Sequence, residues 1–126
     1  MIRDEIKDLI AQETDLCYDA EVNEKKIEDY KTKVRNWVSK FIDMMKRNNW
    51  LIANKLTYID FMLYDLLDHQ RILFPNIFDD FHDIQEYLRK FEDLPHIRDF
   101  LGSDRYRKYP LWSERSFLGR SKENIP

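Results

Sequence analysis

The sequence has few of the residues that build turns, sheets and disulfides. Its 126 residues include 2 glycines, 4 prolines, 3 valines and 1 cysteine, and the first 74 positions contain neither glycine nor proline. Because hairpins need turn residues and strands favour valine, this scarcity argues against an all-β fold. The lone Cys17 excludes an intramolecular disulfide framework and a cysteine-based zinc cluster, and it fits a reducing compartment.

Long apolar runs and an excess of positive charge are also missing. No stretch approaches the roughly 18 apolar residues of a membrane span, and the first turn is too charged for a signal peptide. The net charge is −3, without a polybasic region to follow a phosphate backbone. We therefore expect a soluble, cytoplasmic protein that binds neither membrane nor nucleic acid.

The residues that are present predict one helical domain. Leu, Ile, Val and Phe make up 36 of the 126 residues, enough for a single core. Apolar residues recur at steps of three and four, which predicts about five helices. Their approximate ranges are 2–17, 24–47, 57–74, 81–94 and 95–102. We expect an all-α bundle over residues 1–102, with net charge −6, and a tail over 103–126, with net charge +3, that lies on this acidic body.

The helix near residue 60 should be central. Its apolar side chains point in nearly every direction around the helical period, so it must be surrounded by other elements. Thr57 and Asp60 have the spacing of a capping box, in which each side chain bonds the other residue's backbone N–H, and Leu56 can pack on Phe61. Pro75 should stop this helix.

Motifs for chemistry are scarce. Two glycines that lie 17 residues apart exclude a glycine-rich phosphate loop, and hydrolase, kinase and zinc-protease signatures are absent. His69, His82 and His96 fall on three separate segments without a second ligand at helical spacing, so we expect surface or capping histidines and no metal site.

Two further candidates remain open on the residues alone. Asp65 and Asp68 share a helix face and could act as a general acid or base, but a structural or solvent-exposed role is favoured. Cys17 has no adjacent cationic residue, which favours a buried, inert thiol.

The segment 50–68, WLIANKLTYIDFMLYDLLD, resembles the W-x-A-G-(D/N)-K-(I/V)-T-(Y/F)-V-D-F-x-x-Y-D-x-L-D block of mu-class glutathione S-transferases. Similar matches are RILFP at 71–75 to R-I-F-E-P, FEDL at 91–94 to F-E-G-L, SDRY at 103–106 to S-S-R-Y, and LCYD at 16–19 to L-C-Y-N. The resemblance covers only the helical C-terminal half of such an enzyme, and we expect the N-terminal thioredoxin-like domain to be absent.

The resemblance implies a half-site without a catalytic residue or bound cofactor of its own. Tyr18 corresponds to a tyrosine that projects into the hydrophobic-substrate site, and Trp112 and Ser113 correspond to residues of the same wall. Asp8 corresponds to an aspartate that reaches across a homodimer toward glutathione, the co-substrate. The family activity is conjugation of glutathione to electrophiles in detoxification, and this chain alone is expected to be inactive.

This sequence also departs from the family pattern. Ile10 replaces an arginine, Lys7 and Ala11 replace methionines of the substrate site, and the tail diverges from Arg115 onward, so the electrophile cannot be inferred. The alternative hypothesis is a noncatalytic structural or protein-interaction module, because the same helical fold serves such roles.

Overall fold

The computed structural model describes residues 2–47, 50, 55–103 and 117–118. Within these ranges the chain forms five α-helices and no strand, which confirms the all-α prediction. None of these helices combines the length and apolar character that a membrane crossing requires. The helices are α1 (Ile2–Cys17), α2 (Glu24–Arg47), α3 (Tyr58–Leu73), α4 (His82–Glu92) and α5 (Pro95–Leu101).

Local sequence signals explain most helix boundaries. The Asn23 side chain accepts a hydrogen bond from the Lys26 N–H at 3.0 Å, which caps the start of α2. Pro75 disfavours helical backbone at the residue before it, and Phe74 indeed leaves the helix at φ −134° and ψ 82°. Pro95 occupies the first turn of α5, where its missing N–H removes no helical hydrogen bond.

Helix α3 is the centre of the core. Nine of its 16 residues are buried, and they face α1 on one side and α4 on the other. The enclosure is incomplete at its first two turns, where Tyr58 is 62% exposed and Phe61 is 46% exposed. The expectation of a helix surrounded on every side is therefore wrong at these two residues.

A buried carboxylate fixes the beginning of α3. Asp60 is 0% exposed, and its Oδ2 accepts a hydrogen bond from the Thr57 N–H at 3.0 Å. Thr57 and Asp60 thus form the predicted capping box. The Asp60 N–H, however, bonds mainly to the Thr57 carbonyl at 3.0 Å, and the Thr57 hydroxyl donates to the Asp60 Oδ2 at 3.3 Å. The Tyr87 hydroxyl of α4 donates to the other oxygen, Oδ1, at 2.7 Å.

A second polar cluster joins α3 to α4 near their other ends. Glu92 accepts hydrogen bonds from the Tyr64 hydroxyl at 2.8 Å and from the Arg71 guanidinium at 2.7 Å. Arg71 also donates to Asp68 at 2.6 Å, and the Tyr64 ring stacks on the Phe91 ring with centroids 4.3 Å apart. The two helices are thus held by polar contacts at both ends of a hydrophobic interface.

We predict that Asp60→Ala destabilises the protein more than Thr57→Ala. The Thr57 change removes the hydroxyl that donates to Asp60 and should lower the free energy of unfolding by about 0.5–1.5 kcal/mol, the usual net effect of one hydrogen bond. The Asp60 change should cost about 3 kcal/mol, because it also removes the 2.7 Å side-chain acceptor of the buried Tyr87 hydroxyl and leaves only the residue 60 carbonyl at 3.5 Å. Urea unfolding followed by circular dichroism measures both, with the exposed Asp80→Ala as the control. If Asp60→Ala and Asp80→Ala lower the free energy of unfolding equally, Asp60 does not fix the start of α3.

Candidate functional site

Helix α1 carries two different faces. Ile6, Leu9, Leu16 and Cys17 are buried against the core. The opposite face holds residues at positions 7, 11, 14 and 18, a spacing that keeps them on one side of the helix. Of these, Lys7, Ala11 and Tyr18 are exposed and Thr14 is half-buried, with its hydroxyl donating to the Ile10 carbonyl at 2.8 Å.

Tyr18 lies immediately after the last residue of α1. Its N–H donates to the Thr14 carbonyl at 3.0 Å, so its backbone continues the helical hydrogen bonding, while its side chain is 38% exposed. Its position is therefore set by the helix, and the residue is partly open to the surface. The apolar pocket expected around this side chain stays a prediction.

Part of the C-terminal tail docks beside Tyr18. The carbonyl of Cys17 accepts hydrogen bonds from the N–H groups of Phe117 at 2.6 Å and Leu118 at 3.1 Å. Leu118 is 8% exposed and belongs to the hydrophobic core, whereas Phe117 is 47% exposed. The tail therefore contributes to the same end of the molecule as Tyr18.

The loop after Tyr18 is tied to α2 by charge. Lys26 Nζ lies 2.9 Å from Asp19 Oδ2, and Asp19 also accepts a hydrogen bond from the Glu21 N–H at 2.8 Å. Lys26 and this N–H lower the pKa of the Asp19 carboxyl. A groove of about 330 Å³ begins here, and Tyr18 is not part of its wall. The groove is lined by Gln12, Asp15, Leu16, Asp19, Lys26, Asp29, Tyr30 and Lys33.

The remaining residues of the predicted site lie apart from Tyr18 or outside the described residues. Asp8 is exposed on α1, ten positions before Tyr18, which corresponds to about 15 Å along a helix axis. The two side chains therefore do not form one compact site within this chain. Trp112 and Ser113 lie outside the described residues. Thr57 and Asp60 form the structural cap of α3.

The structure corrects one prediction about the histidines. His82 and His96 are exposed as expected, but the His69 side chain is only 18% exposed and its Nδ1 lies 3.1 Å from Oε1 of the buried Glu13. Asp65 is exposed, and Asp68 is bound to Arg71. Among the residues that the structure describes, no group of three potential ligands is placed to hold a metal ion.

Sequence reasoning missed a buried polar cluster between α1, α2 and α3. Its members are Glu13, His69, Gln70 and Tyr30, joined by the Glu13–His69 pair and by a 2.6 Å hydrogen bond from the Tyr30 hydroxyl to Gln70. A signal was available: Glu13 falls on the apolar stripe of α1, and Gln70 on that of α3, at positions that helical spacing assigns to the core.

Comparison with known proteins identifies the fold and the family. The family model of the glutathione S-transferase C-terminal domain matches residues 7–104. A crystal structure of the glutathione S-transferase Blo t 8 superposes with a TM-score of 0.84 at 25% identity, over 94% of this chain and 57% of that one.

Curated relatives give the same result. Glutathione S-transferase B of Cavia porcellus is 30% identical over 93% of this chain and 54% of its own length. The glutathione S-transferase class-mu 26 kDa isozyme 7 of Fasciola hepatica is 34% identical over 82% of this chain and 47% of its own length. Glutathione S-transferase Mu 3 of Homo sapiens is 31% identical over 88% of this chain and 49% of its own length. The chain thus spans about half the length of the curated relatives it matches, and the resemblance to the mu class is confirmed.

We predict that Leu118 anchors the tail against α1. Leu118→Ala should lower the free energy of unfolding by about 2–5 kcal/mol, the usual cost of truncating a buried leucine. Phe117→Ala, at the exposed neighbour, should cost about 1 kcal/mol or less. Urea unfolding of both variants provides the comparison. If the two changes cost the same, the packing of Leu118 does not hold this segment.

Proposed function

Because the chain belongs to the glutathione S-transferase family and matches its C-terminal domain, we propose that it forms the electrophile-binding half of a mu-like glutathione transferase. In this proposal the complete enzyme conjugates glutathione to hydrophobic electrophiles. The observation that carries it is the position of Tyr18, whose backbone is hydrogen-bonded at the end of α1 and which is 38% exposed.

Tyr18 is proposed to act on the electrophile and not on glutathione. A phenol hydroxyl can donate a hydrogen bond to an oxygen on which negative charge develops, such as that of an opening epoxide. Lys7 and Ala11 lie on the same face of α1 and would form the adjoining wall. The proposal extends to Trp112 and Ser113 as further wall residues. It is supported by the binding of Phe117 and Leu118 at the Cys17 carbonyl.

Asp8 is proposed to serve a second subunit. It is exposed on α1 and too far along the helix to share a site with Tyr18. A carboxylate in this position suits the ammonium group of glutathione bound to the partner of a homodimer, because charge-assisted hydrogen bonds are strong and directional. The dimer surface in this proposal includes the exposed side of α1.

In this proposal the thiolate of glutathione is generated by a thioredoxin-like domain, as the resemblance implies, and not by the helices described above. The described residues then bind and position the electrophile. Holding it beside glutathione makes the reaction effectively unimolecular. We place the complete protein in the cytoplasm, where the buried Cys17 would stay in the reduced thiol form.

A noncatalytic interaction module is the second candidate. It is favoured by the exposed aromatic side chains of Tyr58 and Phe61 at the start of α3. Exposed apolar surface of this kind is a common feature of protein-binding sites. The two candidates differ in what happens when a glutathione-activating domain is added.

We predict that the 126-residue chain alone gives no measurable conjugation of glutathione to 1-chloro-2,4-dinitrobenzene, because the thiol of glutathione is not converted to the reactive thiolate. Adding a separately produced thioredoxin-like domain of a mu-class enzyme should give conjugation that depends on both components. Absorbance of the product measures the rate. Turnover by the chain alone would contradict the proposed division of labour. An inactive mixture in which the two domains nevertheless bind each other would favour the interaction module.

We further predict that Tyr18→Phe lowers kcat of the reconstituted mixture with an epoxide substrate by about ten- to hundredfold, because one donor to the developing alkoxide is lost. Tyr58→Phe is the matched control, since Tyr58 is more exposed and lies on α3. It should leave the rate unchanged. Equal rates for wild type and Tyr18→Phe would exclude a role for this hydroxyl.

A further inference from the structure

A carboxylate and a histidine meet in the interface between α1 and α3. Glu13 is 0% exposed, and its Oε1 lies 3.1 Å from Nδ1 of His69, whose side chain is 18% exposed. The contact joins residues 56 positions apart in the chain. It is therefore a tertiary contact that forms only when α1 is docked on α3.

The carboxylate of Glu13 is only partly satisfied. Its second oxygen, Oε2, is buried and makes no hydrogen bond within the described part of the chain. The neighbouring Gln70 amide donates from Nε2 to the Leu66 carbonyl at 3.2 Å and accepts at Oε1 from the Tyr30 hydroxyl at 2.6 Å, and its interaction with Glu13 lowers the pKa of that carboxyl. Burying a carboxylate that lacks hydrogen-bond partners costs free energy. The proton between Glu13 and His69 reduces this cost and so favours the docking of α1 on α3.

The other groups around the pair are neutral or negative. On α3, Asp65 and Asp68 act on His69 through their negative charge, and Asp65 also acts on Glu13. On α2, the Tyr30 hydroxyl faces Glu13, and Cys17 of α1 lies near that hydroxyl. Arg71, two residues after His69 on α3, is a cation that is bound to Asp68 and Glu92. This environment favours holding a proton at the pair.

Both members of the pair bind protons more tightly when folded. Burial raises the pKa of Glu13 above 4.5, and this effect outweighs the hydrogen bond and charge of His69 and the hydrogen bond of Gln70, which lower it. For His69, burial lowers the pKa, but the hydrogen bond and charge of Glu13 outweigh it and raise the pKa above 6.5. A raised folded pKa gives stability that is fully present below the unfolded value and is lost as pH rises through the folded value. For His69 that loss begins above pH 6.5.

We propose that Glu13 and His69 form a proton-held latch that docks α1 on α3 and opens as pH rises above neutrality. When His69 loses its proton, Glu13 is left as a buried carboxylate near the negative charge of Asp65, and docking of α1 on α3 becomes less favourable. The Cys17 carbonyl, to which residues 117 and 118 bind, moves with α1. The latch thus controls the end of the molecule that carries Tyr18, whatever that tyrosine does.

Hydrogen exchange of the whole chain, read by mass spectrometry between pH 6 and pH 9, tests the latch. After correction for the intrinsic exchange rate, protection of α1 amides should fall above pH 6.5. The fall should be up to about tenfold per pH unit, the limit for one proton linked to opening. Protection of α4, which makes no contact with α1 among the described residues, should stay constant. A pH-independent α1, or an equal fall in α4, would overturn the proposal.

Variants separate the pair from other titrating groups. Glu13→Gln and His69→Gln should each abolish the pH dependence of α1 protection, whereas His96→Gln, at an exposed histidine of α5, should retain it. The proposal is wrong if Glu13→Gln keeps the wild-type pH dependence of α1 protection, or if His96→Gln removes that dependence. Should the Glu13 variant fail to fold, nuclear magnetic resonance of the wild type provides the test. His69 must then titrate above 6.5 with the same midpoint as the α1 amide shifts, and different midpoints would refute the proposal.

Discussion

The buried carboxylate of Asp60 constrains the whole bundle. Because it is 0% exposed, its oxygens must find donors inside the protein. Two donors come from Thr57, just before α3, and one comes from Tyr87 on α4. These donors converge only when α3 begins at Tyr58 and α4 lies in one register against it. A wrong helix start or a slipped α4 would leave a buried charge unpaired, which is far costlier than a lost apolar contact.

The other elements depend on α3 in turn. Once its start is set, helical geometry places His69 and Gln70 toward α1 and α2, and Tyr64 and Arg71 toward Glu92 of α4. Each of these contacts is a directed polar bond at the margin of an apolar interface. Hydrophobic burial supplies the driving force for packing, but it is nondirectional, so the polar bonds select which packing forms. The position of Tyr18 follows from this hierarchy, since it ends the helix that docks on α3.

Local signals predicted the helices, and long-range partners could not be predicted. The range 24–47 of α2 and the stop at Pro75 follow from spacing and from proline chemistry, which act within a few residues. Spacing also assigns Glu13 to a buried face, but it cannot name a partner 56 residues away. His69 was expected at the surface or at a helix cap, because no second metal ligand lies at helical spacing from it. The tail was predicted only as lying on the body, and its docking at Cys17 depends on tertiary structure.

The two interfaces of α3 differ in how they respond to protons. Toward α4, burial and nearby carboxylates raise the pKa of Tyr64 and Tyr87 above the usual range of phenols, so both hydroxyls remain donors at any physiological pH. The pKa of Arg71 is also raised by Glu92 and Asp68, so its charge is permanent. Toward α1, the contact depends on a histidine, whose ordinary pKa lies near neutrality. The α3–α4 pair can therefore serve as a fixed platform, while α1, with Tyr18 at its end, is the element whose docking responds to pH.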